Sequence, residues 1–160
     1  MKRLLIVCAV LAVAGCSSSS RGAATTLATP TPVSAAALSS AYEKAATQAT
    51  TAAEVFQMKA NAWPAFPQSF QIATDADPYV ASLRTFDDTI LRIRTTGQLA
   101  TDIRSLIAAD ATLERVLSSA DAPRVFSASS WMSEVTTART GTQAAAAAVR
   151  ADLGLPPAKP

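Results

Sequence analysis

Tyr79-Val80-Ala81-Ser82-Leu83-Arg84-Thr85-Phe86-Asp87-Asp88-Thr89-Ile90-Leu91-Arg92-Ile93 is the stretch on which the fold turns. Its large apolar residues, Tyr79, Leu83, Phe86, Ile90 and Ile93, follow one another at four, three, four and three. That spacing stacks them on one face of an α-helix, whereas a strand would need alternation with period two. No window of the chain alternates in that way. The spacing therefore predicts an all-α protein, and a helix striped on one side needs partners to cover it.

Upstream, Asp75-Ala76-Asp77-Pro78 offers a helix start, with Asp77 as N-cap and Pro78 at the first helical position, where a missing N–H costs nothing. Downstream, the apolar phase slips after Ile93. A new stripe begins at Leu99 and passes through Ile103, Leu106, Asp110, Leu113 and Leu117. Thr95-Thr96-Gly97-Gln98 lies between the two stripes, so the reading places a break at 94–97 and a third helix from about Gln98 to Ser119. A first helix is expected from about Ser34 to Asn61, striped by Leu38, Tyr42, Ala45, Ala49, Ala52, Phe56 and Ala60 and ended before Pro64. A last helix, capped by Asp121-Ala122-Pro123, carries Ala128, Met132, Val135, Ala138, Thr142, Ala145, Val149 and Leu153, with Trp131 beside them. Gly154, Leu155 and the prolines after them read as a Schellman ending. The expected architecture is an antiparallel four-helix bundle over 34–155, with 156–160 as a frayed tail. Alanine at successive seam positions of the outer helices predicts close helix approach.

Before the bundle, Met1-Lys2-Arg3 precedes an apolar run from Leu4 to Ala14, 11 residues long. A spanning helix needs roughly 20 such residues, so the run reads as a secretory leader over 1–15. Val13-Ala14-Gly15-Cys16 resembles the lipobox of bacterial lipoproteins. The resemblance implies that the Cys16 sulfur receives a diacylglycerol, with palmitate-type acyl chains, and that the chain is cut before it. It thereby implies attachment to the cell membrane on its extracytoplasmic face. Residues 16–33, from the serine run at 17–20 to the Thr/Pro segment, bury too little apolar surface to order themselves and read as a flexible tether. Such a coil spans roughly 20–25 Å. Thr25, Thr26, Thr29 and Thr31 are candidates for O-linked sugar.

Charge and composition then narrow the function. The chain has 14 Lys and Arg against 12 Asp and Glu. Loss of Lys2 and Arg3 with the leader leaves 12 of each sign, so the pI near 8.7 belongs to the leader. No basic surface for nucleic acid is expected. Arg-rich basic content with abundant Ala and Thr is similar to actinobacterial, high-GC composition. The lipobox resemblance implies that Cys8 leaves with the leader and that Cys16 carries the lipid, and the chain has no histidine. Disulfides, thiol catalysis, cysteine- or histidine-held metals and Ser-His-Asp chemistry are thus excluded.

The candidate sites are few. Trp63, Phe66 and Phe70 share a loop with Pro64 and Pro67, and they are read either as a plug for one end of the bundle or as a partner-binding surface. Asp75 and Asp77 are read as caps, and Asp87 as a solvent-face partner of Arg84 or of neighbours on the Arg94 side. Asp110, on the apolar stripe, needs a buried partner, expected to be an arginine or serine across the bundle. Without histidine, stability is expected to be nearly flat between pH 5 and 8. No cofactor, metal or catalytic residue is expected. The sequence points to a lipid-anchored, non-catalytic envelope module binding another protein or a polymer, with a carrier of a small apolar ligand in the bundle interior as the alternative.

Overall fold

The computed structural model describes residues 34–121 and 127–158. The leader, Cys16, the tether and the proposed cap at Ala122-Pro123 lie outside the described residues. Among those described, four helices and one 3-10 turn account for the regular structure: α1 (Ala35–Asn61), α2 (Ser69–Leu91), α3 (Gly97–Ser118) and α4 (Ala128–Asp152). The 3-10 turn, Ser119–Asp121, follows α3 directly. No strand occurs among the described residues, and the protein is an all-α bundle.

α1 begins where Ser34 turns its hydroxyl back to accept from the Ala37 N–H at 3.2 Å, which satisfies one of the orphan donors of the first turn. Its 27 residues give a rod of about 40 Å. It ends just before Trp63 and Pro64. α2 starts at Ser69 and carries Pro78 in its interior, which corrects the expectation that Asp77 and Pro78 open it. The reason is burial. Ile72 and Ala76 extend the Tyr79–Leu83 stripe backwards at four and three, and both are buried. Covering that apolar surface outweighs one lost backbone bond at Pro78, which faces solvent. Asp75 and Asp77 are therefore mid-helix residues, not caps.

Arg92 closes α2 and a short turn leads to Gly97, whose φ of 67° suits only a residue without a Cβ. Residues 78–119 are thus two helices joined by the expected break. α4 is capped by Ser127, whose hydroxyl accepts from the Ser130 N–H, so its start lies beyond the Asp121-Ala122-Pro123 expected to cap it. Its end is the anticipated Schellman motif. The Leu155 N–H donates to the Arg150 carbonyl at 2.8 Å and the Gly154 N–H to Ala151 at 3.0 Å, with Gly154 at φ 66°. Leu155 folds back onto the cluster that contains Val149.

Successive helices run antiparallel. Tyr42 packs on Phe86 and Phe56 on Tyr79, Arg84 of α2 meets Glu114 of α3, and the Trp131 indole N–H donates to Val116 at 2.9 Å. The interior divides into two apolar clusters. Around Ala53, Phe56, Ile72, Tyr79, Leu83, Leu113, Leu117 and Trp131 lies the larger; around Tyr42, Phe86, Ile90, Ile103, Leu106 and Val149 lies the other. α1 and α4 lack the close backbone approach of the other neighbouring pairs, and side chains span that seam instead. Ser39 donates to the Leu153 carbonyl, Arg139 to the Gln57 side-chain oxygen, and Glu43 lies 3.9 Å from Arg150.

The three aromatics expected on one loop part company: Trp63 and Phe66 lie between α1 and α2, whereas Phe70 belongs to the first turn of α2. Trp63 turns inward and stacks edge-on against Phe56, with centroids 5.9 Å apart, beside Trp131 at 6.2 Å. Its indole N–H donates to Asp75 at 2.9 Å. Phe66 and Phe70 face outward, 90% and 67% exposed. Trp63→Ala should therefore cost about 3 kcal/mol, the low end for removing a core aromatic, whereas Phe66→Ala should stay within about 0.5 kcal/mol of the parent. Urea denaturation midpoints of the two variants check this, and equal midpoints would contradict it.

Candidate functional site

The alanines of α1 and α4 do not bring these helices together. Ala46, Ala49, Ala53 and Ala146 instead form the walls of a cleft of about 330 Å³ along the α1/α4 seam. The floor comes from the inner helices: Tyr79, Leu83 and Phe86 of α2, and Leu106 and Asp110 of α3. Arg139, Gln143 and Arg150 of α4 and Thr50 and Glu54 of α1 complete the lining, and Ala158 of the tail lies against it. A second hollow of about 210 Å³ adjoins it towards the tryptophan end, sharing Arg139 and Gln143. Small side chains on two outer helices over large ones on two inner helices thus leave a trough with an apolar floor. Its size falls at the low end of small-molecule sites.

The polar centre of the trough is Asp110. It has no solvent exposure, and Asp87 keeps only 9%. Asp110 is near enough to Asp87 and to the Thr142 hydroxyl for its titration to depend on both. Even so, both Asp110 oxygens, Asp87 Oδ1 and Thr142 Oγ1 are buried with no hydrogen-bond partner. Polar atoms in that state are uncommon and costly. The expected pairing of Asp87 with Arg84 on the solvent face is corrected: Arg84 Nε binds Glu114 at 2.9 Å instead, and Asp87 points inward. The groups nearest Asp110 are likewise neither arginine nor serine but Asp87 and Thr142.

The physical setting raises both carboxyls. Burial away from water, then the charge of Asp110, pushes Asp87 up to about 8. Burial pushes Asp110 up to about 6, with the Thr142 hydroxyl and the Asp87 carboxyl holding it lower than burial alone would. Two carboxyls this close share a proton and titrate as a pair. Burial also raises Tyr42, against the pull of Arg150, and raises Tyr79 to about 12, against Arg139. Asp75 behaves in the opposite way: the Trp63 indole and then Lys59, 2.9 Å away, hold its carboxyl below the usual range.

Chemically, the trough offers an apolar bed with one acidic, hydrogen-bond-hungry point. Among the described residues no group of three or more acidic, His or Cys side chains could hold a metal ion, and no helix is long and apolar enough to cross a membrane. No family model, curated protein or solved structure matches the chain. Of the residues that meet here, Asp110 and Thr142 stand out in the sequence by lying on inner stripes. The signal for Asp87 was present as well, since Leu83, Asp87 and Ile90 keep the four-then-three spacing. Arg139 and Arg150 give no sequence cue, because two helices must first be placed side by side.

The pair should make stability depend on pH, where the lack of histidine alone leads to the expectation of a flat profile. Both folded-state values lie above the roughly 3.9 of an unfolded aspartate. Between about pH 4 and pH 8 the folded state therefore holds more protons than the unfolded one, and stability falls as pH rises through that window. Asp75, being lowered, acts with the opposite sign and loses its contribution only as the medium becomes strongly acidic. The melting temperature should drop by several degrees from pH 5 to pH 8, and Asp87→Asn should flatten the curve. A flat profile in the parent would refute the buried-pair account.

Proposed function

We propose that the protein is a lipid-anchored binding protein on the extracytoplasmic face of the cell membrane, whose helical domain receives a small, largely apolar ligand in the α1/α4 trough. In this reading Cys16 carries the acyl anchor, residues 16–33 form the tether, and the domain is non-catalytic. The observation that carries it is the conjunction of a 330 Å³ cleft with an apolar floor and fully buried, unpartnered polar atoms of Asp110 and Thr142 within its lining. A bundle selected only for rigidity gains nothing from a polar group left in that state. Each unpaired atom is accounted for if a ligand completes the site.

A second reading, an envelope module that binds a protein or polymer through Trp63, Phe66 and Phe70, draws support from the exposure of Phe66 and Phe70. It is the weaker of the two, because Trp63, the residue best suited to anchor a partner, has its ring and its N–H engaged within the fold.

Two measurements test the proposal. Cys16→Ser should abolish partitioning into a detergent phase while leaving the helical circular-dichroism signal and the melting temperature unchanged. A variant that still partitions as the parent does would remove the anchor assignment. For the trough, N-phenyl-1-naphthylamine should bind the full chain saturably with enhanced fluorescence, and Ala146→Phe, which places a ring in the cleft, should weaken that binding at least tenfold without unfolding the domain. No saturable binding by the parent, or an undiminished signal in the filled variant, hands the domain to the second reading.

A further inference from the structure

Resting on the ligand-binding reading, the geometry points to a ligand of one chemical class: we infer that the trough takes a small amphiphilic amine, its protonated nitrogen held by Asp110 with Thr142 beside it and its apolar body on the floor of Tyr79, Leu83, Phe86 and Leu106. Asp110 lines the cleft and is wholly buried with neither oxygen bonded. Its polar neighbours are the Thr142 hydroxyl and the Asp87 carboxyl, and no cationic side chain of the protein bonds it. Arg139 donates to Gln57 at 3.2 Å. Arg150 donates through Nε to the Pro156 carbonyl at 2.7 Å and stands 3.9 Å from Glu43. Both guanidiniums are thereby occupied at the rim, and no lysine lines the cleft.

The acidic groups facing the centre favour a cationic head. α2 contributes Asp87 and Tyr79, α3 contributes Asp110 with Glu114 acting on both carboxyls, and α1 contributes Tyr42 and, at the rim, Glu54. Arg139 and Arg150 on α4 are the opposing charges. Near neutral pH the carboxyl pair holds one proton and one negative charge. A monovalent ammonium neutralises that charge and donates up to three hydrogen bonds, reaching the acceptor atoms now left without partners. A carboxylate ligand would add a third acid to the pair. A metal ion would find too few oxygen ligands among walls of alanine, leucine and aromatic carbon.

The test is isothermal titration of the full chain with three compounds of one shape: phenethylamine, 2-phenylethanol and phenylacetate. The amine should bind at least tenfold more tightly than the alcohol at pH 7.5, with phenylacetate weakest. The preference should shrink at pH 5, where more of the pair is protonated. Asp110→Asn should bring amine and alcohol within about twofold of each other while the alcohol's affinity is retained. Asp87→Asn should keep the amine preference, since Asp110 and Thr142 remain in place and the amide can still donate to Asp110 as the Asp87 carboxyl does. If Asp110→Asn fails to fold, Thr142→Val takes its place and should weaken the amine severalfold more than the alcohol. Equal binding of amine and alcohol by the parent, competed by the Ala146→Phe filling, would overturn the ligand class and leave the trough standing. Binding of none of the three would sink both readings.

Discussion

The structure depends on how little bulk its outer helices bring to the seam between them. Where α1 faces α4 the side chains are mostly alanine and threonine, and the large groups that close the core, Leu83, Phe86, Leu106, Leu113 and Leu117, come from α2 and α3. Alanine permits close helix approach but does not enforce it, because a methyl group offers little apolar surface to bury. The backbones of α1 and α4 accordingly stay apart. Their alignment is set at the two ends, by the Phe56, Trp63 and Trp131 rings at one and by Ser39, Glu43 and the Leu153–Leu155 turn at the other. Pinned ends and a thin middle produce a trough.

The same constraint places an acid where a bundle would ordinarily carry leucine. Asp110 and Asp87 meet across the α2/α3 contact, under the trough, with Thr142 of α4 as their neutral neighbour. Two buried carboxyls are tolerable only if a proton remains between them, so part of the domain's stability rests on that proton. Function and stability are thereby coupled at one point. A cationic group entering the trough would relieve the burden that a deprotonated pair imposes on the fold, which is the usual linkage between binding the native state and stabilising it. The opposite design holds Asp75, whose charge is matched by Lys59 and hydrogen-bonded by Trp63.

The tryptophan end shows how one short loop can do two things. Pro64 and Pro67 prevent the chain from continuing α1, and it turns so that a half-buried Trp63 packs against the core while Phe66, on the turn, and Phe70, in the first turn of α2, are left outside. Local sequence groups the three aromatics together. Only the fold decides which of them turns inward, because one of the two rings that receive Trp63, Trp131, lies on α4, distant in the chain.

The helices, their order, the break before Gly97 and the Schellman ending at Gly154 were legible in the sequence, because each is written in local terms: apolar spacing, caps, and glycine or proline at positions where backbone geometry is exacting. Where local and non-local signals competed, the sequence misled. Asp77-Pro78 is a sound helix start in isolation, yet the apolar surface of Ile72 and Ala76 carries the helix back to Ser69. Asp87 beside Arg84 resembles an ordinary solvated pair until α3 supplies Glu114 for the arginine and Asp110 for the acid. The sequence offered a ligand in the bundle interior only as an alternative, and the place of the trough could not be read. Alanine stripes look alike whether two helices touch or stand apart, and their separation is fixed by large side chains on other helices. Periodicity in the sequence determined which face of each helix turns inward; only the packing of all four decided what space and which unpaired groups were left between them.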